Sequence, residues 1–354
     1  MVISLILLFT TSLFLSFIEE RLCDRDKKML YVLLGLVMIL IAGLREVGST
    51  PDTLSYEEMF YAKEGDLTRL LREPSFDYIT DIVQSLSLGI TGLFMAYAMI
   101  AVPIQLSALW KLSKMPFLTL TIYISYYYMM HDMVQIRCAV ASGLFLWAVY
   151  FYVEQKKLYT LCFILLGTFF HYSAIAGMVI FFVGNGFPKW QKYLLCAVVP
   201  IGLVVYFTQF DILTFVPDEW GGLKLMKYRT MREKGIEDKL AGWKFERHVL
   251  IWMNIVLYYA CIYYHDYLVK HFKYTTVAIK LMAVGFCFLF FANALSQVLG
   301  NRMNDFFSVA SVLLWTASVY AFSPLIVGKI ISNVLSTFRF VSSMLAYALA
   351  LLFL

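Results

Sequence analysis

Apolar runs follow one another along this chain with little between them, and their lengths decide what it can fold into. A helix needs about 20 apolar residues to cross hydrocarbon, and every lipid-facing backbone group must be bonded internally. Runs at roughly 2–18, 29–44, 86–110, 115–130, 138–153, 158–170, 173–185, 193–210, 248–267, 275–297, 304–321 and 333–354 meet or approach that length. Of 354 residues, 61% are hydrophobic and only 15% charged. A water-soluble chain of this size could not hide so much apolar surface. The expected fold is therefore all-α, a polytopic integral membrane protein with about 11–12 transmembrane helices and two longer outer segments at about 45–85 and 211–247. No long repeat or flexible linker interrupts the pattern, which predicts a single domain over 1–354.

Two of the runs, 158–170 and 173–185, are short. At about 1.5 Å per residue each covers about 20 Å, so the pair reads as a re-entrant hairpin with His171 at its tip. The opening "MVISLILLFTTSLFLSFIEERL" has neither a basic leader nor a good cleavage site, and reads as a retained first span.

Charge sets the orientation. Short cytoplasmic loops attract Lys and Arg. One set of loops carries Arg21, Arg25, Lys27, Lys28, Lys111, Lys114, Lys156, Lys157, Lys189, Lys192, Lys270, Lys273 and Lys329. That set marks the cytoplasm and puts both long segments outside. The formal net charge of +5 is dispersed among loops without interleaved aromatics, which argues against a nucleic-acid partner. Five of the six cysteines fall in apolar runs and no CxxC pair exists, so neither a disulfide framework nor a metal site is expected.

Arg45, Arg137, Arg302 and Arg247 then stand at outer ends of spans, where orientation does not need them. Each can pair with a carboxylate or a lipid phosphate while its stem stays in the apolar layer. If several converge, they make a pyrophosphate site, because guanidinium stays charged and forks onto two oxygens. In "STPD" Thr50 reads as a helix N-cap and Pro51 as the first helical residue, with Asp52 complementing the dipole. Asp52, Tyr56 and Phe60 would share one helix face, fit either to pack on neighbouring spans or to hold a sugar ring. The segment 45–85 carries four basic and nine acidic residues, a wall suited to polyhydroxylated substrates. Segment 211–247, with Trp220, Tyr228 and Trp243, is either a cover over the site or a solvated amphipathic loop.

His171 is read as the one histidine inside an otherwise apolar run, and ionisable groups at membrane depth often serve function. The sequence shows no HExxH centre, Gly-rich phosphate loop, GxSxG elbow or DxD-like pair. Nucleotide-dependent chemistry and a metal or other cofactor are therefore not expected.

The run Arg45, Gly48, Asp52, Tyr56, Phe60 and "EPSF" at Glu73–Phe76 resembles the EpsG and Wzy group of bacterial surface-polysaccharide polymerases. So do "QIRCAVASGLFLWAVYF" around Arg137, "LGTFFHYSAI" around His171 and "NRMNDFF" around Arg302. The resemblance covers about 40–310; one departure is "GSTPD", longer than the GxD spacing common in that group. It implies a GT-C-like membrane glycosyltransferase that moves a growing glycan from one undecaprenyl pyrophosphate to the sugar of a second lipid-linked unit, on the outer face of the bacterial inner membrane. Its implied partners are undecaprenyl-pyrophosphate-linked oligosaccharides, membrane lipids, a chain-length regulator and a flippase. On this reading Arg45, Arg137, Arg302 and Arg247 hold pyrophosphate, Tyr56 and Glu73 hold sugar, and Asp52, Glu46 or His171 is the base, with Asp52 favoured. Other readings are a transporter or flippase of lipid-linked oligosaccharide, an O-antigen ligase, a single-sugar lipid-dependent transferase and, least supported, a membrane acyltransferase. A transporter should show internal pseudo-repeats and interrupted mid-membrane helices, and little of either is visible.

Overall fold

The computed structural model describes residues 1–50, 52–62, 72–208, 230, 249–292 and 296–352. Among these residues every regular element is helical. In chain order they are α1 (Val2–Ile18), α2 (Asp24–Gly43), α3 (Thr53–Tyr61), α4 (Pro74–Ser85), α5 (Ile90–Leu112) and α6 (Pro116–Ile124). A π-helical turn at Tyr128–Val134 leads into α7 (Ile136–Val153) and α8 (Lys157–Phe170). After a 3-10 stretch at Tyr172–Val179 come α9 (Ile180–Val183), α10 (Lys189–Thr208), α11 (Val249–Tyr263), α12 (His265–His271), α13 (Thr275–Phe291), α14 (Gln297–Ser308), α15 (Ser311–Ser318) and α16 (Leu325–Leu352). Four of the described segments are long and apolar enough to cross a membrane: Ile90–Leu112, Ile136–Val153, Lys189–Thr208 and Leu325–Ala346. Six shorter apolar helices accompany them. The outward faces of α1 and α2 are bare hydrocarbon, with Ile3, Leu7, Phe14, Val32, Leu33 and Leu36 all exposed. Such faces need lipid as solvent. The chain is an all-helical polytopic membrane protein.

The chain gathers into two compact units. The first holds Met1–Met178 and Trp315–Leu354, the second Val179–Leu314. In the first, α5 is the central element, with α2 and α7 packed on it and α8 on α7. Glycines permit that approach: a Cβ at Gly43 of α2 would come 3.0 Å from the Met95 Cα, and one at Gly143 of α7 would lie 2.8 Å from the Gln105 Cγ. Close backbone approach through small residues is how helices associate where no hydrophobic effect drives them together. A polar ladder joins α1, α6 and α16. Ser12 and Thr121 share a hydrogen bond of 2.8 Å, Asn333 donates to the Ser16 Oγ at 2.9 Å, and Glu19 accepts from the Phe117 amide at 3.0 Å. Lys329 completes the ladder by pairing with Glu19 at 3.3 Å and Glu20 at 2.8 Å. Lys329 is thus a buried structural cation on α16, not a loop charge of the kind the orientation rule counts.

In the second unit Lys280 of α13 donates its Nζ to the carbonyls of Val183, Gly184 and Gly186, at 2.7, 2.9 and 2.6 Å. Those carbonyls lie at and just past the end of α9, where the helix has run out of its own donors. Tyr258 and Tyr259 of α11 bond the Leu195 and Cys196 carbonyls of α10.

Two sequence expectations are corrected here. Helix α3 begins at Thr53 with Asp52 in the N-cap position, so Thr50 is not the cap. The Thr50 hydroxyl instead donates to the Met133 carbonyl, 83 residues away, a partner no local pattern reveals. Pro51 lies outside the described residues. Arg302 was expected just outside a span beginning near 304, but the helix starts earlier, at Gln297, where Ser296 caps it by accepting from the Leu299 amide at 3.2 Å. Arg302 is an exposed helical residue of α14, and the polar Asn304 and Asp305 beyond it are buried.

Candidate active site

Glu73 stands at the N-cap of α4, followed by Pro74 at the first helical position. A carboxylate there would ordinarily accept from its own helix's free amides. This one makes no cap hydrogen bond. Its Oε2 pairs with the Arg137 Nη1, and its Oε1 lies 3.2 Å from the His171 Nδ1 and 3.5 Å from the Tyr172 amide. The Tyr172 hydroxyl donates to the Arg72 carbonyl at 3.0 Å, so the 171–172 turn clasps the 72–73 segment twice over. Glu73 keeps 1% exposure, whereas the Arg137 and His171 side chains keep 17% each.

The position of His171 follows from the chain's reversal there. A Cβ at Gly167 would meet the Ala174 Cβ at 3.4 Å, and one at Gly177 the Ile164 Cγ1 at 3.7 Å. Residues 164 and 167 therefore lie beside 177 and 174, an antiparallel hairpin turning at 170–171 as the short spans suggested. His171 ends α8 in an extended conformation, its amide held by the Gly167 carbonyl.

The site has an aromatic floor. Tyr56 and Phe60 of α3, Phe76 of α4, and Phe94 and Tyr97 of α5 belong to one buried cluster. The Arg137 guanidinium lies 5.5 Å from the Tyr56 ring centre and 5.4 Å from that of Phe76. Arg45 stacks on the same cluster, 4.0 Å over Phe94. Its Nη1 donates to the Ala42 carbonyl and, at 3.4 Å, to that of Asp132. Gly48, three residues on, has φ +79°, a left-handed turn that favours glycine. Beside Arg45, an open groove of about 350 Å³ is lined by Arg45, Glu46, Ser49, Ser4 of α1 and the apolar Leu40 and Ile41 of α2.

Of the residues singled out from sequence, Arg137, Glu73, His171 and Tyr56 form one constellation and Arg45 shares its floor. Asp52 is half-buried one turn before Tyr56, whose amide bonds its carbonyl at 3.0 Å. Glu46 is exposed at the groove. Arg302 belongs to the second unit. Arg247, Trp220, Tyr228 and Trp243 lie outside the described residues.

Sequence reading missed two neighbours in "HDMVQIR". His171 is not the one histidine at depth, because His131, on the π-helical turn between two spans, has no exposed surface. Burial, helped by nearby His171, pulls its imidazole down to about 3. Asp132, beside it, accepts from the Tyr123 hydroxyl at 2.7 Å. Burial lifts its carboxyl to about 7 against the opposing pull of Tyr123 and Arg45. Two adjacent titratable residues between apolar runs were the available signal. π-helical turns frequently mark functional sites.

This set can do acid–base chemistry. Arg137 supplies the countercharge to Glu73, and a carboxylate that accepts the His171 Nδ1–H makes Nε2 the basic nitrogen of the ring. That tautomer is assigned from the hydrogen bond. No curated protein and no solved structure matches the chain. The model of the EpsG family matches residues 28–353, a span that takes in every residue of this site. The chain belongs to the EpsG family, a Wzy-like family of polysaccharide polymerases.

Proposed function

We propose that the protein lengthens a lipid-linked glycan by whole repeat units. It moves the growing polymer from undecaprenyl pyrophosphate to a sugar hydroxyl of a second undecaprenyl-pyrophosphate-linked unit, on the outer face of the bacterial inner membrane. The Glu73–His171–Arg137 constellation, centred on a buried carboxylate over an aromatic floor in a chain of a polymerase family, carries this reading.

The acceptor oxygen attacks the anomeric carbon of the donor sugar, and the bond from that carbon to the pyrophosphate oxygen breaks. His171 Nε2 takes the hydroxyl proton, while Glu73 steadies the imidazolium that forms. This assignment favours His171 over Asp52 and Glu46, because only His171 has a buried carboxylate orienting it. Pyrophosphate leaves with both electrons of the broken bond, and preorganised cations in a water-poor site lower the barrier to its departure. Arg45, at the rim of the groove, is assigned to that charge. Arg137, already answered by Glu73, holds the carboxylate in place. Tyr56 and its neighbours offer ring faces to sugars.

Purified protein given lipid-linked repeat units in detergent should yield a ladder of repeat multiples. A pure transporter would make none without a sealed compartment, a ligase would make one large transfer, and a single-sugar transferase would add one residue. His171→Ala should slow the ladder by about 100-fold or more, in line with the loss of a general base. A normal rate from both His171→Ala and Glu73→Gln would end this mechanism.

A further inference from the structure

Arg339 lies near the middle of α16, 14 residues after its start, which at about 1.5 Å per residue is about 20 Å along the helix. It is 1% exposed, its Nε, Nη1 and Nη2 have no partner within strict hydrogen-bond geometry, and the Tyr127 phenol offers it a looser side-chain hydrogen bond. Three rings of the same unit surround the guanidinium: Trp315 at 5.6 Å, Tyr127 at 5.7 Å and Tyr126 at 5.8 Å. The ionisable groups that act on it are the two phenols, with no carboxylate among them. Ring faces attract a cation but cannot accept five N–H groups. Guanidinium does not lose its proton, and a buried unpaired charge is strongly unfavourable. The cage is therefore complete only with an anion.

We infer that Arg339, with Tyr126, Tyr127 and Trp315, forms a second binding site in the first unit, and that its ligand is the phosphate head group of a polyprenyl carrier. The anion must stay ionised at depth. Burial neutralises carboxylates, whereas a phosphate ester or pyrophosphate is a much stronger acid and keeps its charge. Its oxygens match the guanidinium fork. A lipid can bring such a group in from the side, whereas a free ion would have to cross the apolar layer. Tyr127 also joins this site to the one above, because its ring centre lies 5.5 Å from that of His131, which acts electrostatically on His171. The proposed function supplies only the identity of the carrier; the binding site stands on Arg339 itself.

The test is binding by the purified full-length protein in detergent, read by titration calorimetry and by melting temperature, with farnesyl pyrophosphate, inorganic pyrophosphate and farnesol as probes. Farnesyl pyrophosphate should bind wild type and raise its melting temperature. Arg339→Met should weaken that binding at least 10-fold while leaving the ligand-free melting temperature equal or higher, since an unpaired buried charge is gone. Arg339→Lys, which keeps the charge but not the fork, should fall between, and serves if the Met variant does not fold. Farnesol binding should be unchanged by either substitution. Equal affinity for inorganic pyrophosphate would keep the site and make a free anion its source. The inference is overturned if wild type binds neither phosphate probe, or if Arg339→Met binds as wild type. A lower melting temperature with unchanged binding would overturn it too, as a purely structural arginine. His171→Ala, inactive under the proposed function, should still bind, so an active His171→Ala would sink that mechanism without touching this site.

Discussion

Glu73 gives up the ordinary work of a helix-start carboxylate, worth about 1 kcal/mol, to serve residues far along the chain. Arg137 is 64 positions away and His171 is 98. Removing one partner leaves a buried charge unanswered, at about 3–5 kcal/mol. Arg137→Met should therefore lower the melting temperature markedly, and adding Glu73→Gln should restore part of it. A double variant as unstable as the sum of the two singles would show that the pair does not couple. Asp132 gives a pH signature. Its folded value near 7 lies above the ordinary 3.8, so between about pH 4 and 7 the folded protein keeps a proton that the unfolded chain has shed. Stability attributable to this group falls as pH rises through that window and levels off above it. The melting temperature of Asp132→Asn should lack that fall, and parallel wild-type and variant profiles from pH 4 to 8 would refute the assignment. Arg137, His171 and Tyr56 stood out in the sequence by type and setting, and Glu73 through the "EPSF" resemblance, as a sugar ligand. Their pairing stayed hidden because each partner comes from a different helix.

Among the elements, periodicity and length went far. The reversal at His171 was legible because neither neighbouring run is long enough to cross hydrocarbon alone. The start of α14 was not, since the polar "QVLGNR" reads as a loop although it is helical; Gly285 of α13 lets Asn304 pack closely, for a Cβ there would lie 3.2 Å from the Asn304 Oδ1. Gly143 holds α7 against α5 by the same means. Gly143→Val should push the two helices apart, and because α7 carries Arg137, both folded yield and polymer formation should drop. Near-normal yield on size-exclusion chromatography would show that the contact yields easily. In the second unit, Lys280→Met removes the donor that three carbonyls after α9 share. Val183 and Gly184 are half-buried and Gly186 is exposed, and a hydrogen bond to a charged group contributes about 1.5–3 kcal/mol, so this variant should melt earlier even though the methionine is the more apolar residue.

At the scale of the whole molecule, membrane residence was plain from composition, whereas sidedness rests on the distribution of basic loops. Cys23 offers a direct check, being exposed between α1 and α2 in the loop read as cytoplasmic. In intact cells a membrane-impermeant maleimide should not label a variant that keeps Cys23 alone, and should label it after permeabilisation. Labelling from outside would reverse the orientation and with it the outer-face assignment of the reaction. The buried bond between Glu19 and Lys329 spans 310 positions, so the acid is made long before its partner. While the ribosome is still at work, the first helix carries an acid whose counter-charge does not yet exist. That acid must wait in water or among lipid head groups, so α1 takes its final seat only after α16 has been made.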